Sequence, residues 1–191
     1  MLPTTLTLTL PTWISGVAVP DRLTHLTDRM ELVLDLAQRN VDHGTGGPFA
    51  SAVFEQESGR LISVGVNRVV PENSSLAHAE VLAIGLAQAA VGTYDLGGSD
   101  LPRLQLVSSS QMCAMCLGAV VWSGVGEVVY ATTSGDVIAT VGFDEGPTPP
   151  DYSQQLEHRG ISVIPGVMRD EGLRVLRRYV AAGGTVYNAH H

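Results

Sequence analysis

Cysteine is scarce in this chain: 191 residues carry two, Cys113 and Cys116. Two are too few for a disulfide scaffold, and in a reducing compartment a close pair reads as ligands or as a catalytic pair. Basic residues are also few. Lys and Arg number 11 against 19 Asp and Glu, a net charge of −8, which repels phosphate backbones and acidic membrane surfaces and disfavours nucleic acid or a bilayer as partner. No apolar run approaches the roughly 20 residues of a membrane span. The opening MLPTTLTLTLPTW lacks a basic leader region and interleaves Thr with Leu, so it reads as mature sequence of a cytoplasmic protein. What is present, 45% hydrophobic residues with charges of both signs, is the composition of a globular chain long enough to bury a core.

Hydrophobic spacing gives alternating elements. Leu23, Leu26, Met30, Val33, Leu34 and Ala37 recur at helical intervals and predict a helix over residues 21–40, broken by DHGTGG. PFASAVFEQESGRLISVGVNRVV holds two β-rich runs around a Glu-Ser-Gly turn and reads as a hairpin. LAHAEVLAIGLAQAAV predicts a second helix, for which Asn73, Ser74 and Ser75 offer caps. Strand LQLVSSS, helix CAMCLGAVVWSG ended by Gly124, strand EVVYAT, a short helix in SGDVIATVGF, strand ISVIPG and an amphipathic helix RDEGLRVLRRYVAAGG complete the chain. The expectation is one α/β domain over residues 1–191, with helices layered on a mixed sheet. Residues 1–20 read as an N-terminal extension, about 21–145 as the core, and about 146–191 as a C-terminal extension. GPTPPDY, residues 146–152, is the one linker-like break and is too short and too late to divide two domains.

Cys113 and Cys116 stand at i and i+3, so on a helix they share a face, and at its first turn the dipole favours thiolates. The pair alone admits three readings: metal ligands, a redox couple, or two small buried hydrophobes. The Ala-Met filling has no redox logic. AHAE adds His78 and Glu80, and His78 with the two cysteines makes a three-ligand set that suits zinc with a fourth position open to water. Each ligand begins a helix that follows or precedes a strand, which brings the helix starts to one end of the sheet.

H-x-E followed by a C-x-x-C helix resembles the signature of the zinc-dependent nucleobase deaminases, and the resemblance is strongest to bacterial guanine deaminases. GGPFASAVF, GVNRVV, AHAEVLAI, CAMCLGAVVWSGV and GFDEG stand in that family's order and spacing. The resemblance implies a cytidine deaminase-like three-layer α/β/α fold with a mixed five-stranded sheet, and one Zn²⁺ per chain on His78, Cys113 and Cys116. Such an ion lowers the pKa of water toward neutrality, and Glu80, not a ligand, would move its proton to a ring nitrogen and the departing amine. Glu145 is implied as a second shuttle that accepts from the Watson–Crick edge, and Asn67 as a hydrogen-bonding partner of the purine. Ala79, between His78 and Glu80, is carried over with them as a substrate-binding position. Phe49 and Trp122 are candidates to pack on the ring face. The implied reaction is guanine to xanthine plus ammonia. The resemblance also implies a homodimer whose tails exchange, with Tyr187 closing the partner's pocket across a flexible Gly183-Gly184 joint. His190 and His191 mimic a metal pair, although terminal histidines are usually inert.

Rival readings share the zinc centre. They are a cytosine or cytidine deaminase, a tRNA adenosine deaminase, an enzyme for guanosine or for a triazine or pterin resembling guanine, and a zinc-containing binding module without catalysis. GFDEG favours the purine branch, the charge of −8 disfavours tRNA, and Glu80 weighs against a non-catalytic module. One departure stands out: Gln111-Met112 precedes Cys113 where the family usually has Glu-Pro. Zinc binding is expected to survive it, with any effect falling on pocket shape.

Overall fold

The structure, a computed structural model, describes residues 2–188; His190 and His191 lie outside the described residues. Five strands form one sheet in the order β2-β1-β3-β4-β5. β1 (Ala50–Glu55) and β2 (Leu61–Val66) make the expected hairpin, with Ala50 opposite Val66. β1 also runs antiparallel to β3 (Leu104–Ser110), whereas β3, β4 (Glu127–Thr132) and β5 (Ser162–Ile164) are mutually parallel. Every residue of β3 and β4 is buried, as a sheet covered on both faces requires.

Helices α1 (Leu26–Asp42), α4 (Ser134–Thr140) and α6 (Arg169–Ala181) cover one face, and α2 (Ala79–Val91), α3 (Ala114–Ser123) and α5 (Tyr152–Glu157) the other. α1 buries Met30, Val33, Leu36 and Ala37 at helical spacing beneath β1 and β3, which is the amphipathic stripe read from the sequence. α2 and α3 pack on the sheet and against each other, yet their outer side also carries apolar residues, Leu86 and Trp122 among them, which stay exposed. The result is the three-layer α/β/α arrangement with a mixed five-stranded sheet.

Several boundaries differ from expectation, each for a local reason. α1 starts at Leu26 rather than near 21, because Leu23 N–H donates to Gly59 O and Arg22 bridges to Arg60, holding that stretch extended along the hairpin. Asn73, Ser74 and Ser75 do not cap α2. Asn73 sits at φ 48 within a turn, and the N-cap is His78. α5 and a short 3-10 turn at Thr12–Gly16 were not expected; α5 is tied to β4 by a 2.5 Å contact between the Tyr130 and Tyr152 hydroxyls.

Candidate active site

His78 and Cys113 occupy equivalent places: each is the N-cap of the helix it precedes, in extended conformation (φ −73, ψ 150 and φ −67, ψ 172). Neither makes a side-chain cap hydrogen bond, so both side chains are free to face the site at the carboxyl ends of β3 and β4. Gly65 of β2 makes the placement of α2 feasible, since a Cβ there would stand 2.1 Å from Ala79 O. Only glycine lets the helix start rest on the strand backbone.

His78 Nδ1 lies 3.5 Å from both Cys113 Sγ and Cys116 Sγ, and the three ligand atoms all fall within 4.8 Å of one another. A tetrahedral zinc with bonds of about 2.0 Å to nitrogen and 2.3 Å to sulfur has a nitrogen–sulfur edge of about 3.5 Å, so the donor set fits the ion. The protonation pattern also suits a metal site. A hydrogen bond from Cys116, then one from His78, holds the Cys113 thiol down to about 4 against the opposing effect of burial. Donating that bond, and burial, push Cys116 up. Burial works against a charged His78, yet the Cys113 contact and the nearby Glu80 raise it overall. Cys113 is thus ready as a thiolate ligand, and Cys116 keeps a proton that a metal would displace.

Glu80 follows His78 in the first turn of α2 and is 6% exposed. Burial, then the charge of Cys113, raises its carboxyl above the usual range, with His78 opposing. An upward shift of this kind makes a carboxyl a better proton carrier than an ordinary one.

His78, Glu80 and Cys113 form one wall of a cavity of about 340 Å³, whose other walls are Phe49, Asn67, Phe143, Glu145 and Tyr187. Phe143 is central to an aromatic group, with ring centroids 5.4 Å from Phe49 and 4.7 Å from Tyr187. Glu145 is raised to about 8, first by burial and then by Cys113 and Glu80. Its loop is pinned at the start of α3, where Ala114 N–H donates to Glu145 O at 3.0 Å. Asn67, 1% exposed, has its Oδ1 taken by the backbone N–H groups of Gly47 and Val69, both at 3.3 Å. Its amide NH₂ therefore faces the cavity, where it donates to the Tyr187 hydroxyl at 2.7 Å.

Two sequence candidates are not brought to this cavity. Trp122 lies at the far end of α3, 86% exposed, beside a separate groove with Tyr152 and Arg159, so it cannot stack on a ring in the cavity. Ala79 is wholly buried against Gly65 and is not part of the cavity wall. Tyr187 does reach the cavity, but of its own chain: Asn188 accepts from Asp144 N–H and donates to Gly142 O, fastening the tail there. Gln111 also lines the cavity, its Oε1 accepting from Ser134 N–H at 3.1 Å and its N–H donating to Thr132 O at 2.7 Å. Met112 is 1% exposed in the core beneath α3. The pair that departs from Glu-Pro is thus anchored. Phe143 and Asn40, the latter supporting Asn67 O at 2.9 Å, were missed. An aromatic at the head of GFDEG was the available signal for the first, and nothing local marks the second.

Residues 24–132 match the family model of the cytidine and deoxycytidylate deaminase zinc-binding region. The chain is 34% identical over 132 residues to the guanine deaminase of Bacillus subtilis (strain 168), covering 69% of this chain and 80% of that protein. The solved guanine deaminase from Nitrosomonas europaea superposes with a TM-score of 0.89 at 45% identity, covering 95% of this chain and 99% of that one. A structure in complex with 2,6-diaminopurine superposes equally, with a TM-score of 0.89, 46% identity and 98% of each chain covered.

Proposed function

Since this chain belongs to the cytidine and deoxycytidylate deaminase zinc-binding family, we propose that it hydrolyses the 2-amino group of guanine, giving xanthine and ammonia. The observation that carries the reading is a buried carboxyl, Glu80, next to a His/Cys/Cys set inside a cavity with an aromatic wall and a second carboxyl at its rim. Zinc held by His78, Cys113 and Cys116 supplies a Lewis acid that makes water nucleophilic near neutral pH.

The remaining work falls to side chains. Glu80 takes a proton as water attacks C2, passes it to a ring nitrogen, and helps protonate the amine as the carbon–nitrogen bond breaks. Glu145 faces N1–H and the 2-amino group, both donors, and accepts from them as a carboxylate; burial and the Cys113 charge raise its carboxyl to about 8, and that charge is offset once Zn²⁺ is bound, which favours the ionised form. Asn67, with its Oδ1 engaged by backbone, offers an N–H to an acceptor on the base. Phe49 and Phe143, in contact with each other, border the ring plane, and Tyr187 excludes water from above.

The rim of the cavity is built by the chain's own tail, which favours a free base over a polynucleotide, as does the charge of −8. We infer a homodimer from an exposed apolar surface: α3 carries no charged residue and leaves Trp122 86% exposed, beside α2 with Leu86 at 42%. No described helix is long and apolar enough to cross a membrane, and a thiol-ligated site in a chain with two cysteines suits a reducing, cytoplasmic setting. The test is ammonia release from guanine, guanosine, cytosine, cytidine, adenine and ammeline by the zinc-loaded protein. Guanine should be turned over fastest; a preference for a pyrimidine or for adenine would overturn the reading.

A further inference from the structure

We propose that Trp13 and Thr45, both outside the cavity, are positioning residues that fix the amide of Asn67 toward the substrate; this rests on the reading of Asn67 as a purine contact. The indole N–H can only donate, and Trp13 Nε1 donates to Thr45 Oγ1 at 3.0 Å. That leaves the Thr45 hydroxyl proton for Asn40 Oδ1, 2.8 Å away. Asn40, wholly buried, must then turn its NH₂ the other way, where it donates to Gly47 O at 2.8 Å and Asn67 O at 2.9 Å. Gly47 N–H in turn donates to Asn67 Oδ1, so each proton along the chain of bonds has one direction. Flipping Asn40 would set its oxygen against two carbonyls.

The packing leaves little room for an alternative. A Cβ on Gly46 would lie 1.8 Å from Asn67 O and 2.8 Å from Asn40 Nδ2, so the loop that carries Thr45 lies directly on the backbone of Asn67. Arg68 clamps the same loop from outside, donating to Thr45 O at 2.5 Å, to Thr9 O at 3.2 Å and to the Glu72 carboxylate at 3.0 Å. Trp13 is held by its stack on His43, centroids 5.3 Å apart at 19°. The N-terminal segment is thereby a working part of the substrate site, although none of its residues borders the cavity.

Steady-state kinetics with guanine on the zinc-loaded full chain test this, using Thr45→Val, Thr45→Ser, Trp13→Phe and Asn67→Ala, with zinc content measured for each. Thr45→Val should raise KM about three- to tenfold, the worth of a buried hydrogen bond, with kcat within about twofold and zinc unchanged. Trp13→Phe should move KM the same way by less, and Thr45→Ser, which keeps the hydroxyl, should restore it. If Asn67→Ala raises KM while Thr45→Val and Trp13→Phe leave it at the wild-type value, the positioning role is wrong and the Asn67 contact stands. If Asn67→Ala itself leaves KM unchanged, the contact fails and the positioning role fails with it. A Thr45→Val protein that loses zinc and kcat together, unrescued by Ser, has a structural residue there and also overturns the inference.

Discussion

The two halves of the cavity are built in opposite ways. The metal-facing half takes His78 and Glu80 from one helix start and Cys113 and Cys116 from another, so four groups come from two short stretches on rigid elements. The base-facing half takes Phe49 from a strand entry, Asn67 from the end of β2, Phe143 and Glu145 from a loop, and Tyr187 from the tail. In the proposed roles, chemistry thus rests on local geometry and recognition on long-range closure. The first half should tolerate almost no substitution, whereas the second should degrade by degrees and mainly in KM.

The largest effect that would break this contrast is at the metal. Cys116→Ser should leave well under one zinc per chain and lower turnover to below about a thousandth of wild type; metal analysis beside an ammonia assay checks it, and a fully active zinc-poor protein would sink the division. Glu80→Gln should keep zinc and lower kcat by about 10²- to 10⁴-fold. Near-normal kcat there would move the proton work elsewhere. Tyr187→Phe removes only the partner of Asn67 Nδ2 and should raise KM for guanine about three- to tenfold with little change in kcat, a result in kcat alone counting against a recognition role.

The smallest effect lies outside both halves and serves as the reference. Asp136 closes a capping box on α4 and pairs with Arg169, and the Arg169 bond, then the Thr133 contacts, outweigh burial and hold its pKa near 2 from 3.8. A depressed carboxylate stabilises fully above its unfolded pKa and loses that contribution as pH falls through about 2. Asp136→Asn should cost about 1 kcal/mol at pH 7, discounted because Arg169 is half exposed. Its penalty should shrink between about pH 4 and pH 2 in thermal melts, and a constant gap across that range would contradict the assignment.

The same contrast explains what could be read from sequence. His78, Glu80, Cys113 and Cys116 were legible because ligand spacing on a helix start is a local property, and the hairpin and α1 because their periodicity is local too. Asn67 and Glu145 needed the family resemblance. Trp122 misled because an aromatic on an apolar helix carries no mark of which face it occupies; only the packing of α3 against α2 and the sheet turned it outward. Phe143 and Asn40 were hidden for a different reason. Their roles exist only once the tail and the loop at residues 43–47 have closed around Asn67.

The uncapped starts of α2 and α3 have a thermodynamic consequence. His78 and Cys113 are 35 residues apart, so only the folded chain holds them together, and a metal that joins them adds its binding free energy to folding. Resistance to denaturant should therefore rise with the concentration of free zinc, making this catalytic ion also a fastener between the two helices that hold it.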